Sequence, residues 1–343
     1  MGCGYTTNSK PSIVQHHHQQ KMSLYQIRSP SKFSNTIALM AFLELDKSCV
    51  LKAEQFSGSK TAFVLDENGD IVAKQTIVKF SPTQAYCIYS ECSERIAGKH
   101  IRVKEDKDIY SLRLISIETE QENRRHLPVF IQFHTVAEAR PAEAHLVDRL
   151  AENVLGRFNL ELKKNITHDS FVESDSWRDE AGFIVTDRNR FVYLTFNTKD
   201  LRSTLLSSNY NVEITRYCVD DFDTLCDFDN SVCGFSREEA IEFIASNSDV
   251  AVAKGNNGID GMISYKGNKI LALYAETLEI AQSLMKYCIE KNRLIEVSFF
   301  TREDIWECKP VSSRPVYRRH TRAIPSSIKW NKVYAINMGF HIV

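Results

Sequence analysis

Residues 177–185 read Trp177-Arg178-Asp179-Glu180-Ala181-Gly182-Phe183-Ile184-Val185. The chain closes on Tyr334-Ala335-Ile336-Asn337-Met338-Gly339-Phe340-His341-Ile342-Val343. Both passages run aromatic residue, helix end, Gly-Phe, apolar strand. A long-period echo marks a duplicated unit. The two passages therefore predict two copies of one domain built from helices and strands.

The segments before each passage match as well. Leu127 to Phe133 reads as a strand, Leu146, Leu150 and Val154 mark a helix face with Val147 beside them, and Gly156 suits the helix end. Phe158 to Leu162 reads as the next strand. In the second half, Lys269 to Leu273 is a strand, Ile280, Leu284 and Cys288 mark a helix face, and Leu294 to Phe300 is a strand.

The totals fit this division. At 343 residues and 43% hydrophobic, the chain has material for two cores. A formal charge of −1 gives no general attraction to nucleic acid or to an acidic surface. Nine cysteines without a CxxC pair fit no zinc spacing and point to reduced thiols in the cytoplasm. No metal is expected.

Residues 1–21 read as a disordered polar tail with a run of three histidines. Met1-Gly2-Cys3-Gly4-Tyr5-Thr6 fits an N-myristoylation pattern at Gly2, with Cys3 available for a second acyl chain. Initiation at Met22 would remove it. Membrane contact is expected only if Gly2 and Cys3 are lipidated.

The first domain is read as 22–205. It holds an opening strand, a helix over Phe33 to Leu45, and a hairpin of 61–65 with 71–78 around Asn68-Gly69. Strand-like stretches follow at 84–90, 100–104 and 109–117. The second domain is read as 206–343. It has a strand over Asn211 to Tyr217, and a helix in two pieces that meet at Gly234. Ser236 and Glu239 have the spacing of a capping box, and 249–254 pairs with 260–265 around Asn256-Asn257-Gly258. The class is α+β, with a mixed, mostly antiparallel sheet and flanking helices in each copy.

This order of elements resembles the GNAT N-acetyltransferase superfamily. The second half is similar to the C-terminal domain of tandem GNAT proteins of the YitH type. The matching phrases are Leu225 to Asp229, Gly234-Phe235-Ser236-Arg237, Leu273-Tyr274-Ala275-Glu276 and Val333-Tyr334-Ala335 through Gly339-Phe340. The first half matches mainly over 127–185.

The resemblance implies an N-acetyltransferase with acetyl-CoA as substrate and a small-molecule or protein amine as acceptor. The donor would lie in a V between two splayed strands, its pyrophosphate on the first turn of the following helix. In the first half this places the donor against Phe133, His134, Val136, Arg140, Ala142 and Ala144. Alanines stand where the family has glycines, and Arg140 is the cation for a phosphate. His134 is the candidate base, its alternative being a strand-end residue that faces solvent. In the second half, Glu276 and Glu279 oppose a phosphate. The family's acid tyrosine on the last helix is replaced by Arg178 and Ala335, with Tyr334 one place away.

The rival reading is a catalytically inactive GNAT-like binding or scaffold protein. A third reading is an adaptor anchored through Gly2 and Cys3. The cluster Arg302, Arg314, Arg318, Arg319, His320, Arg322, Lys329 and Lys332, with Tyr317 and Trp330 interleaved, is read as a solvated loop before the last helix. No nucleic acid partner is expected.

Overall fold

The computed structural model describes residues 56–118, 139–156, 164–205 and 212–336. The tail, the lipidation positions Gly2 and Cys3, the 33–45 helix, the strands read at 127–133 and 158–162, and the Gly339-Phe340 ending lie outside the described residues. So do Phe133, His134 and Val136.

The first hairpin forms as read. β1 (Ser59–Leu65) and β2 (Ile71–Lys79) are antiparallel, with Leu65 opposite Ile71. The Asp66 carboxylate accepts from the backbone amides of Asn68 (2.9 Å) and Asp70 (3.0 Å), and Gly69 takes a φ of 81°. Aspartate supplies the acceptor and glycine the left-handed residue, so five local residues set the register. β3 (Gln84–Cys92) follows β2. β4 (His100–Glu105) and β5 (Ser111–Glu118) form a hairpin placed on the other side of β1, with β5 parallel to it. β6 is the two-residue edge Arg140–Pro141 on β4.

α1 (Ala142–Leu155) buries Leu146, Val147, Leu150 and Val154, and ends at Gly156 with φ 100°. The apolar spacing read from sequence is the face that covers the first sheet. β7 (Asn165–Ser170) comes next, then the one-turn α2 (Ser176–Asp179), β8 (Val185–Thr186), β9 (Phe191–Asn197) and α3 (Thr198–Thr204). The Phe183 amide donates to the Trp177 carbonyl at 2.8 Å, and both rings are buried. The first Gly-Phe phrase is thus a core plug.

The second half runs β10 (Glu213–Arg216), α4 (Phe222–Cys233), α5 (Glu238–Asn247), β11 (Asp249–Gly255), β12 (Gly258–Lys266), β13 (Lys269–Ala275), α6 (Leu278–Asn292), β14 (Glu296–Arg302), β15 (Ser312–His320) and β16 (Val333–Ala335). α6 buries Ile280, Leu284 and Cys288 as the periodicity requires. α4 and α5 join at Gly234 as read. The Ser236 cap does not form. Arg237 occupies the N-cap position, where a guanidinium has no acceptor to offer, and it donates instead to Asp229 in two bonds of 2.6 and 2.5 Å.

The strands make one sheet of order β10-β11-β12-β13-β14-β9-β15-β7-β3-β2-β1-β5-β4-β6. Two strands cross between the halves of the sequence. β9 pairs with β14, and β15 pairs with β9 through 312–316 and with β7 through 317–320. The basic stretch read as a loop is therefore a central strand, with Arg318, Arg319 and His320 all buried. Val333–Ala335 is likewise a strand rather than the last helix.

Candidate functional site

Alternate residues of a strand share a face. On one face of β3, β7 and β15, that rule collects Gln84 and Tyr86, Thr167 and Asp169, and Arg318 and His320. Six polar side chains in the middle of a sheet must satisfy one another or face solvent.

Five of them form two groups, the second together with Asp187. Arg318 donates from Nε and Nη2 to the two Asp169 oxygens, each at 2.8 Å, and the Tyr86 hydroxyl donates to the same carboxylate at 2.8 Å. Arg318 also lies over the Phe191 ring, 4.5 Å from its centre. Burial opposes its charge, but the Asp169 carboxylate outweighs burial and keeps the guanidinium protonated. Burial, reinforced by Asp169, holds the Tyr86 hydroxyl well above its ordinary pKa, so it remains a donor.

The second group is a chain of three. His320 Nε2 is 2.8 Å from Asp187 Oδ2, and His320 Nδ1 is 2.8 Å from Thr167 Oγ1. Asp187 Oδ1 accepts from the Asn189 amide at 2.8 Å and its side chain at 3.0 Å. Burial alone would raise the Asp187 pKa. The His320 hydrogen bond, the Arg318 charge and the Asn189 amide reverse that and hold it below the ordinary carboxylate value.

Both groups border a small recess that opens to solvent. Phe80, Phe235, Pro325, Ile328 and Trp330 supply its apolar walls, and Gln84 and Thr167 lie on its polar side. Phe235 comes from the α4–α5 turn and Trp330 from the segment after β15, so both halves of the sequence build it. The Trp330 Nε1 donor is buried without a partner among the described residues.

Sequence reading missed this site. Its residues come from five separated stretches, and no short spacing links them. The one available signal was the alternation of Val316, Arg318 and His320 within a β-compatible run.

Of the residues expected to hold a donor, Arg140, Ala142 and Ala144 stand at the start of α1, all buried. Arg140 pairs with Asp148, while its Nε and Nη1 have no partner among the described residues. Glu143 is buried beside them. Burial first, and then the Glu180 carboxylate, raise its pKa. Burial also pushes the nearby Cys87 thiol up to about 12, which makes it inert.

Both halves contain a parallel pair that separates. β3 and β7 pair from Gln84 and Asn165 to Cys87 and His168, and both strands continue beyond. β13 and β14 share one register pair, Lys269 with Ser298. β16 lies in that second gap. Val333 and Ala335 pair with Tyr274 and Leu273, and the Ile336 amide donates to the Phe300 carbonyl at 2.9 Å. At the start of α6, Glu276 is paired with Lys332 at 2.5 Å. Tyr334, one place from the family's acid position, is buried in β16.

Residues 43–185, less than half of the chain, match the family model described as Domain of unknown function (DUF7596). No curated protein matches the sequence. Among solved structures, the chain is similar to a protein from Pyrococcus horikoshii assigned as an acetyltransferase, at 13% identity and a TM-score of 0.50 over 80% of this chain and 77% of that one. The fold is GNAT-like.

Two further similar structures are a GCN5-related N-acetyltransferase from Sphaerobacter thermophilus and a tandem GNAT protein of clavulanic acid biosynthesis. The first shares 11% identity, with a TM-score of 0.40 over 76% of this chain and 81% of that one. The second shares 6% identity, with a TM-score of 0.41 over 78% and 85%. Among the described residues, no helix is long and apolar enough to cross a membrane.

Proposed function

We propose that the protein is an acyl-CoA-dependent N-acyltransferase of GNAT-like fold, with acetyl-CoA as donor and a small-molecule or protein amine as acceptor. The first half holds the donor, on Arg140, Ala142 and Ala144 at the start of α1 and on Phe133, His134 and Val136 before it. The observation that carries this reading is Arg140. It is a buried guanidinium with two unpartnered donors, at the N-terminal end of a fourteen-residue helix. Free backbone amides and a positive dipole end favour an anion there. Burial, which raises the pKa of Glu143 and so favours its neutral form, lowers the cost of a phosphate beside it. β16 fills the corresponding gap of the second half, which favours the first half as the donor site.

A second reading is a GNAT-like binding protein without catalysis. It is favoured by the absence of glycine from both helix starts and by the acidic Glu276 and Glu279. The likeness of the second half to the YitH type, the division at 205/206, lipid anchoring at Gly2 and Cys3, and a cytoplasmic location belong to the same proposal.

One measurement separates the two readings. A ligand that binds only the folded chain raises its melting temperature by mass action. Acetyl-CoA and CoA at millimolar concentration should shift the melt, and Arg140→Gln should reduce the shift. An unmoved melt removes the acyltransferase reading.

A further inference from the structure

The chain Asp187–His320–Thr167 admits a proton arrangement that activates the hydroxyl. Asp187 is ionised and only accepts, so the hydrogen between it and His320 sits on Nε2. A neutral imidazole then has its lone pair on Nδ1, 2.8 Å from the Thr167 hydroxyl. The hydroxyl donates to Nδ1, and its own lone pairs remain. Thr167 borders the recess, whose walls are apolar. A hydroxyl, a base bonded to it and a carboxylate that orients the base are the parts of an activated nucleophile.

We propose that the recess is an acyl-transfer site in which Thr167 is the nucleophile, His320 its general base and Asp187 the group that orients His320. Its substrates are esters or thioesters with a small apolar or aromatic acyl group. Thr167 Oγ1 bonds to the carbonyl carbon, and its proton passes to His320 Nδ1. The tetrahedral intermediate collapses by breaking the bond to the alkoxide or thiolate, which leaves with the proton from His320. Water attacks the acyl-threonine in the same way, giving one proton to His320, and Thr167 leaves and recovers it. The products are a carboxylic acid and an alcohol or thiol, with no redox change. Arg318 is already committed to Asp169, which fits a neutral acyl group rather than a charged one.

This site requires no CoA and is independent of the start of α1. A chain that fails the acetyl-CoA melt leaves this inference standing. The test uses diisopropyl fluorophosphate on the full chain, with intact-mass and peptide mapping. The expected result is one adduct on Thr167, in which the oxygen–phosphorus bond forms and fluoride leaves. Thr167→Val should abolish the adduct, Thr167→Ser should retain it, and His320→Gln should slow it by about a hundredfold or more. Each variant is compared at a temperature where its melt shows it folded. No adduct on the native chain, an adduct elsewhere, or labelling of Thr167 at the same rate in His320→Gln would overturn the proposal.

Discussion

Arg318 and Asp169, 149 residues apart in the chain, meet in a doubly bonded ion pair at the seam where β15 is laid against β7. Both side chains are about 1% exposed. A buried pair of this kind holds a register, because every other pairing of the two strands leaves a charge without a partner. Removing one member should therefore hurt more than removing both. Asp169→Ala strands the guanidinium and deprives the Tyr86 hydroxyl of its acceptor, and should destabilise by about 3–5 kcal/mol. Asp169→Leu combined with Arg318→Met should lose clearly less. Urea melts of the single and double variants decide it. An equal loss in both would mean that the pair contributes little beyond its packing.

Gly234 joins α4 to α5 with φ 80°. A Cβ there would stand 2.5 Å from the Cβ of Ser327 and 3.1 Å from its carbonyl oxygen. Ser327 Oγ in turn donates to the Cys233 carbonyl at 2.7 Å. Gly234→Ala thus combines a left-handed backbone with a steric conflict against the segment that walls the recess. Together these should cost roughly 1–3 kcal/mol. The Trp330 fluorescence should change along with the melting temperature. A melt within one degree of the native chain would show that the 325–330 segment gives way freely.

The elements legible in the sequence are those whose determinants are local. Asp66 and Gly69 close one hairpin, Asn256-Asn257-Gly258 closes another, and α1 and α6 carry their buried faces in plain periodicity. β15 was not legible because Arg318, Arg319 and His320 read as solvated charge. Their burial depends on Asp169 and Asp187, which no local pattern announces. Ser236 does not cap α5: the helix begins at Glu238 after Arg237, and the Ser236 hydroxyl donates to the Glu238 carboxylate. The recess needs β3, β7, β15 and the α4–α5 turn together, so only the fold could reveal it. The Trp177 to Phe183 phrase, read as the mark of a repeated unit, forms part of the core, where its rings close over His168.

His168 lies on the opposite face of β7, its ring 3.8 Å from that of Trp177 and 4.8 Å from that of Phe183 between centres. Burial, aided by Arg319 and His320 and opposed by Asp169, lowers its pKa from 6.5 to about 4. Below about pH 6.5 the unfolded histidine takes up a proton that the buried ring refuses until about pH 4. The unfolded state then binds more protons, and folding stability falls as pH falls through that window. From pH 8 to pH 5 the loss should be about 2 kcal/mol, since each pH decade below the unfolded pKa contributes about 1.4 kcal/mol. Asp187 titrates lower and does not enter that range. Glu143, with its raised pKa, acts with the opposite sign above its unfolded value of 4.5, losing stability as pH rises. The two effects separate by comparison with His168→Gln, which should be less stable at pH 8 through lost ring packing. It should also lack the decline toward pH 5 that the native chain shows. Parallel urea-melt profiles for the native chain and His168→Gln between pH 5 and pH 8 would mean that His168 is protonated in the folded core.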